Sequence, residues 1–250
     1  MKRLFVFFLL ISHNSEAQII PFGFVKKSSN LNGPLDGISS NNASSSAYQI
    51  KQDYPNSIDG LYWIKNSNIN NGTPFQIYAD MTTDGGGWTL LLTNVAGNGW
   101  STTNAIHRVE GTPSLSANYS IVDYGDYIKK SASGFQYMIE ASNRNDWGGI
   151  WTANANYSFI ANTSVQTNIT LNRKFGTWNY DNSGVEERMP WYSGDVYPTL
   201  TTNVNGFNDG SWWGTLVTAQ NGGWVPSPWM GSTGGGATMP SPGKIWYWVR

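Results

Sequence analysis

The sequence predicts an α+β domain: an irregular antiparallel sheet with a few short helices and long C-terminal loops. Three observations carry this. First, residues 75–81 alternate, with Phe75, Ile77, Ala79 and Met81 on one face and Gln76, Tyr78 and Asp80 on the other. A period of two marks a half-buried strand. Second, Gly85-Gly86-Gly87 separates this strand from the apolar run 88–93. Three glycines permit positive φ and a sharp reversal, so the pair reads as a hairpin with a glycine tip. Leu61 to Lys65 forms a third strand, entered through Asp59-Gly60 and left through Asn71-Gly72 and Pro74. A three-stranded meander buries one face where two strands do not. Third, no stretch of helical period longer than about 12 residues stands out beyond Pro55.

The N-terminus reads as a targeting segment. Met1-Lys2-Arg3 precedes an apolar run from Leu4 to Ile11, far short of the ~20 residues a membrane span needs. Ser15-Glu16-Ala17 ends in a small residue, so residues 1–17 are expected to be a signal peptide and the protein to be secreted. Residues 18–45 are polar and aperiodic and are expected to form a linker or loosely packed arm. Ser46 then caps a short helix with apolar residues at Ala47, Ile50 and Tyr54, which Pro55 ends. Beyond the meander, residues 121–128 read as a helix start or a strand edge. Residues 135–141 alternate and predict a strand. Residues 147–151 read as a bend between strands, and 157–159 and 165–171 as further strands. One globular domain is expected over residues 46–250. There is no repeat of about 20 to 50 residues.

Composition narrows the function. Charged residues make up only 12% of the chain, while there are 13 tryptophans and 28 glycines. This is the profile of a secreted β-rich binding domain. The net charge of −1 provides no electrostatic footprint for nucleic acid. The absence of cysteine removes thiol chemistry and cysteine–zinc sites. Past the signal segment the sole histidine is His107, with no Gly-x-Ser-x-Gly near any serine, and it reads as a lone surface histidine. Carboxylates ~5–10 Å apart would suit glycoside hydrolysis, but the adjacent Glu186 and Glu187 read as a solvated turn. The glycine run lacks the lysine and spacing of a phosphate loop.

Residues 178–242 are loop-like and dense in aromatics, glycine, asparagine and aspartate. Long irregular stretches in a compact domain are usually functional or disordered, and five tryptophans between Trp191 and Trp229 speak against disorder here. Trp212, Trp213, Trp224, Trp229 and Tyr192 are the candidate lining of a ligand site, since aromatic faces stack on pyranose rings. At least half of the tryptophans belong in the core. Asn203, Asn205, Asn208 and Asp209, with Asp195, supply the oxygen chemistry that calcium takes from flexible loops; equally, Asn and Asp before glycine are ordinary turn residues.

The residues Asp59-Gly60-Leu61-Tyr62-Trp63-Ile64, the strand from Phe75 to Met81, and Thr83-Asp84-Gly85-Gly86-Gly87-Trp88-Thr89 together resemble the start of the fibrinogen C-terminal globular domain. That family includes ficolins and, more distantly, intelectins. The likeness covers residues 46–93, with a weaker echo at 242–250. It implies non-catalytic recognition, of carbohydrate or acetylated glycan, with calcium as the cofactor and a glycan or surface glycoprotein as partner. A protein–protein adhesion or matrix module is the alternative and a secreted glycosidase the third reading. No nucleic acid and no membrane span are expected, and oligomers are compatible with the family. Two departures stand out. The family's opening cysteine pair is matched here by Ala47 and Ala79, so a bridge that contributes ~3–4 kcal/mol is missing. The family's calcium sits on an Asp-x-Asp loop, a pattern this sequence lacks; Asp209 is the nearest equivalent.

Overall fold

The computed structural model describes residues 34–95, 106–109, 112–160, 168–176 and 243–250, together with the backbone of four short strands between 201 and 225. All lie in one compact unit, Gly33–Arg250. The fold is an α+β arrangement around an antiparallel sheet.

Helix α1 (Ala47–Asp53) starts where the serine cap predicts: the Ser46 hydroxyl accepts the Gln49 N–H at 3.0 Å. Strands β1 (Gly60–Ile64), β2 (Phe75–Asp80) and β3 (Trp88–Val95) form the expected meander. The glycine tip works as its composition requires. Asp84, Gly85, Gly86 and Gly87 all have positive φ, and a Cβ on Gly86 would lie 2.1 Å from the Met81 carbonyl oxygen, so only glycine fits. After β4 (Tyr119–Ser120), residues 121–128 resolve as a 3-10 turn at Val122–Tyr124 running into helix α2 (Gly125–Ile128).

Strand β5 (Phe135–Ala141) matches its predicted span. The expected bend at 147–151 is instead strand β6 (Trp147–Ala153). Its glycines read as a turn signal, but they serve close approach: Gly148 has φ +124°, and a Cβ there would lie 2.0 Å from the Ile139 carbonyl oxygen of β5. The expected strand at 157–159 is not one. Asp126 accepts hydrogen bonds from the Phe159 N–H at 3.1 Å and from the Ser158 hydroxyl, and the segment turns Phe159 into the core. Strand β7 (Ile169–Phe175) begins later than the predicted run 165–171, of which 165–167 lie outside the described residues. Strands β8 (Thr201–Asn203), β9 (Trp212–Gly214), β10 (Val217–Thr218) and β11 (Trp224–Val225) form two small ladders, β8–β9 and β10–β11, in a region that reads as loop.

The closing strand β12 (Lys244–Val249) lies at the centre of the sheet. It pairs with β3 on one side and β5 on the other, giving the order β1-β2-β3-β12-β5-β6-β7 with β4 beside β3. Arg250 then clamps the glycine tip. Its guanidinium donates to the Asp84 and Gly86 carbonyls at 2.7 and 2.8 Å, pairs with the Asp84 carboxylate at 3.0 Å, and lies 4.1 Å from the Trp88 ring centroid. The core is aromatic: Trp88, Trp151, Trp248, Tyr137, Tyr247, Phe135 and Phe159 are fully buried. Tyr137 stacks on Trp151 at 5.3 Å, and Phe159 packs edge-on against Tyr247 at 5.8 Å. Ala47 and Ala79, which stand where the resembling family carries cysteines, are both fully buried. Within the segment expected to be an arm, residues 37–44 bond to β1, with Trp63 N–H donating to Gly37 O at 2.7 Å and Ser44 N–H to Trp63 O at 3.2 Å.

Among the described residues, Asp80 and Glu140 are the carboxylates with no exposure. The alternation predicts Asp80 on the outer face of β2, yet its side chain is fully buried because Arg144, from the β5–β6 turn, covers it. Arg144 also donates to the buried Glu140 at 2.5 Å and stands 4.5 Å from the Trp248 ring centroid. Burial alone would raise the Asp80 carboxyl. Bonds from Thr83 and Thr82 and the Arg144 charge outweigh it and hold Asp80 below the usual carboxylate range. At Glu140 burial wins and pushes the carboxyl up, against Arg144 and the Asn145 N–H.

Candidate functional site

The C-terminal site residues are reached only in part. Trp212 and Trp213 lie in β9, Trp224 in β11 and Asn203 in β8. The register sets Asn203 opposite Trp212 and Thr202 opposite Trp213. Trp229, Tyr192, Asp195, Asn205, Asn208 and Asp209 lie outside the described residues. Among the described residues, no group of three or more His, Asp or Glu side chains is placed to hold a metal ion.

The described residues build two other concave features. The first is an aromatic pocket of about 410 Å³. Separate parts of the chain converge on it: Trp63 from β1, Asn70, Phe75 and Gln76 from the following turn and β2, His107 and Val109 with Thr112 and Pro113, and Tyr119, Ile121 and Tyr124. Asn70 and Asn71 take left-handed conformations, φ +49° and +53°, which asparagine tolerates. The turn presents the Asn70 side chain, whose carbonyl accepts the Tyr124 hydroxyl at 2.8 Å. The Tyr124 ring then meets Phe75 at 5.4 Å and His107 at 5.1 Å, both edge-on.

His107 is therefore not the lone surface histidine its Thr/Asn-rich context predicts. Its Nδ1 lies 3.0 Å from Asp123 Oδ1, with the imidazole 40% exposed. The Arg108–Ser120 backbone bridge, at 2.8 and 2.9 Å, fixes the segment that carries it. The Asp123 hydrogen bond raises the imidazole above its ordinary value, against a smaller opposing effect of burial. Aromatic faces with an amide, a hydroxyl and an imidazole edge suit a ring-shaped ligand that carries hydroxyls. Chain order hides this pocket, because no single segment contributes more than a few of its residues.

The second feature is a groove of about 530 Å³ along the outer side of β1. Ile38 and Ile58 face it with 74% and 73% of their surface exposed, the two most exposed large apolar residues described. Tyr54, Pro55 and Tyr62 contribute apolar surface, and the Tyr62 hydroxyl donates to the Ile58 carbonyl at 2.7 Å, which fixes the 55–58 loop. Asp36 and Asp53 flank the isoleucines.

Angiopoietin-related protein 1 from Bos taurus is 23% identical over 173 residues, 66% of this chain and 33% of that protein. The Homo sapiens protein of the same name is 23% identical over 165 residues, 63% of this chain and 31% of that protein. The chain thus spans about a third of the length of these relatives. Among solved structures, the fibrinogen-like globe domain of human ANGPTL2 aligns with a TM-score of 0.46 at 14% identity, over 82% of this chain and 98% of that one. That of human ANGPTL6 aligns at 0.41 and 10%, over 82% and 94%. The C-terminal globular domain of fibrinogen beta and gamma chains matches residues 49–182, more than half of the sequence, and the chain belongs to that family.

Proposed function

We propose that this chain is a secreted, non-catalytic recognition domain whose partner is an extracellular protein. The observation that carries the reading is the groove beside β1, where two isoleucines on the loops flanking that strand stand three-quarters exposed. Exposed apolar surface that the fold does not need is characteristic of interaction sites. The basic, then apolar, then small-residue pattern of residues 1–17 supports export. Family membership supports recognition rather than turnover.

A second reading, glycan binding, is favoured by the aromatic pocket around Tyr124 and His107, and by Trp212, Trp213, Trp224, Trp229 and Tyr192 in the C-terminal region. Calcium belongs to this reading, with Asn203, Asn205, Asn208, Asp209 and Asp195 as the proposed ligands.

One experiment separates the two. The protein without residues 1–17 is passed over a panel of extracellular proteins, each native and enzymatically deglycosylated, with calcium and with chelator. Binding that survives deglycosylation and chelation supports the protein-recognition reading. Binding lost on both treatments replaces it with the glycan reading, and release of sugar product with time would overturn both in favour of a hydrolase.

A further inference from the structure

The groove beside β1 also indicates what kind of protein surface it takes, an inference that rests on the protein-recognition reading above. Its floor and walls are apolar, and its rim is acidic. Asp36 uses Oδ1 to accept the Ile38 N–H at 3.0 Å and the Asn42 amide at 3.4 Å. Asp53 uses Oδ2 to accept the Gln49 amide at 2.9 Å. Among the described residues, the other oxygen of each carboxylate has no protein partner. The Lys51 ammonium, on the same helix as Asp53, does not pair with it but is turned onto the Pro55 and Ser57 carbonyls at 2.6 and 3.3 Å. A third carboxylate, Asp59, stands close by, its oxygens taken by the Met81 N–H at 2.7 Å and by the Thr82 hydroxyl. Asp59 and Asp36 both act on the Tyr62 phenol in the groove, where burial and their negative charges push its ionisation up.

Apolar anchors flanked by unmatched carboxylates call for the complementary arrangement. We propose that the groove docks a segment of a partner protein in which an apolar side chain is flanked by lysine or arginine. The apolar side chain covers Ile38 and Ile58, and the cationic groups meet the free oxygens of Asp36 and Asp53. Buried apolar contact supplies the affinity, while the rim charges set the choice of partner and the salt dependence.

The test uses a fluorescein-labelled hexapeptide of alternating arginine and leucine, read by fluorescence anisotropy against the chain without residues 1–17. Two control peptides carry glutamate for arginine and serine for leucine. Ile58→Ser removes one of the two exposed anchors without touching the core. Asp53→Lys reverses one rim charge at the C-terminal end of α1, where a cation is tolerated. Ile160→Ser, at an exposed isoleucine outside the groove, is the control substitution. The expected result is at least tenfold weaker binding of both control peptides to the wild type, and of the cationic peptide to Ile58→Ser and Asp53→Lys. Ile160→Ser is expected to bind as the wild type does, and binding is expected to weaken as sodium chloride rises.

Equal binding of the arginine and glutamate peptides would overturn the proposal, as would equal binding by wild type and Ile58→Ser, or no binding at all. Sedimentation runs alongside: a dimer that Ile58→Ser dissociates would make the occupant a second copy of the chain and would also overturn it. If the peptides fail while panel binding survives deglycosylation, the partner chemistry is wrong and the protein-recognition reading stands; if panel binding fails as well, both fall.

Discussion

Two contacts between a carboxylate and a nitrogen base in this fold have opposite surroundings. Arg144 with Asp80 and Glu140 lies under the sheet centre, where both acids have no exposure. His107 with Asp123 lies at a pocket wall, with 40% of the imidazole in water. A buried charge stripped of its partner is costly, whereas an exposed pair contributes little because water and salt screen it. The first cluster therefore holds the fold together by joining the end of β2 to the β5–β6 turn. The second is free to respond to its surroundings, as the groove carboxylates Asp36 and Asp53 are. Burial, more than residue type, separates the architectural charges from those available for recognition.

The comparison can be broken at its buried end first. Arg144→Leu leaves two carboxylates in the interior and is expected to cost about 3–5 kcal/mol in urea unfolding. Arg144→Lys keeps the charge but loses the forked geometry that serves both acids, so it should fall between. A loss under 1 kcal/mol for Arg144→Leu would show that the cluster is not structural.

Arg250→Ala tests the clamp between the chain end and the glycine tip. It removes two hydrogen bonds to backbone carbonyls, one to the Gln136 side-chain carbonyl, an ion pair and the contact with Trp88, and should cost about 2–3 kcal/mol. For a domain of this size that lowers the melting temperature by several degrees.

Acid sharpens the comparison within the cluster itself. Asp80 is held below its unfolded value of about 3.9. Its stabilising contribution is thus present above that pH and is lost as the pH falls through the folded value. Glu140 is raised, so its contribution runs the other way: it is present below about pH 4.3 and lost as the pH rises through its folded value. Asp80→Asn should flatten the stability curve below pH 4 by up to about 1.4 kcal/mol per pH unit. An unchanged acid limb would refute the ionised, buried Asp80.

The smallest effect belongs to His107. Its raised value means that the stabilising contribution is present below about pH 6.5 and lost as the pH rises through the folded value. Asp123→Asn should bring the His107 imidazole titration, followed by NMR, back toward the ordinary value while barely moving the melting temperature.

Much of the scaffold was legible because local chemistry and tertiary structure agree. Ser46 caps, Pro55 stops, residues 75–81 alternate, and Gly86 can only be glycine. Legibility failed where a residue answers to a distant neighbour. Gly148-Gly149 reads as a turn but serves close strand packing against Ile139. Asp80 reads as solvent-facing but is covered by an arginine 64 residues away. Phe159 sits in a strand-like pattern but is turned inward by bonds to Asp126. The candidate sites were harder still. The aromatic pocket draws on separate segments, and no period announces it. Nothing in the run from Pro55 to Ile58 shows that Ile58 stays in water. The C-terminal tryptophans and asparagines stand out by composition alone: strand backbone places Trp212, Trp213, Trp224 and Asn203, while Trp229, Asn205 and Asn208 fall outside the described residues.

The most direct test of the central claim compares one groove variant with one pocket variant. Ile58→Ser and Tyr124→Ala are each measured against the extracellular proteins that bind the wild type after deglycosylation. Recognition of protein through the groove predicts at least a tenfold loss for Ile58→Ser and little change for Tyr124→Ala. Loss confined to Tyr124→Ala, with Ile58→Ser binding as the wild type does, would contradict it and move recognition to the aromatic pocket.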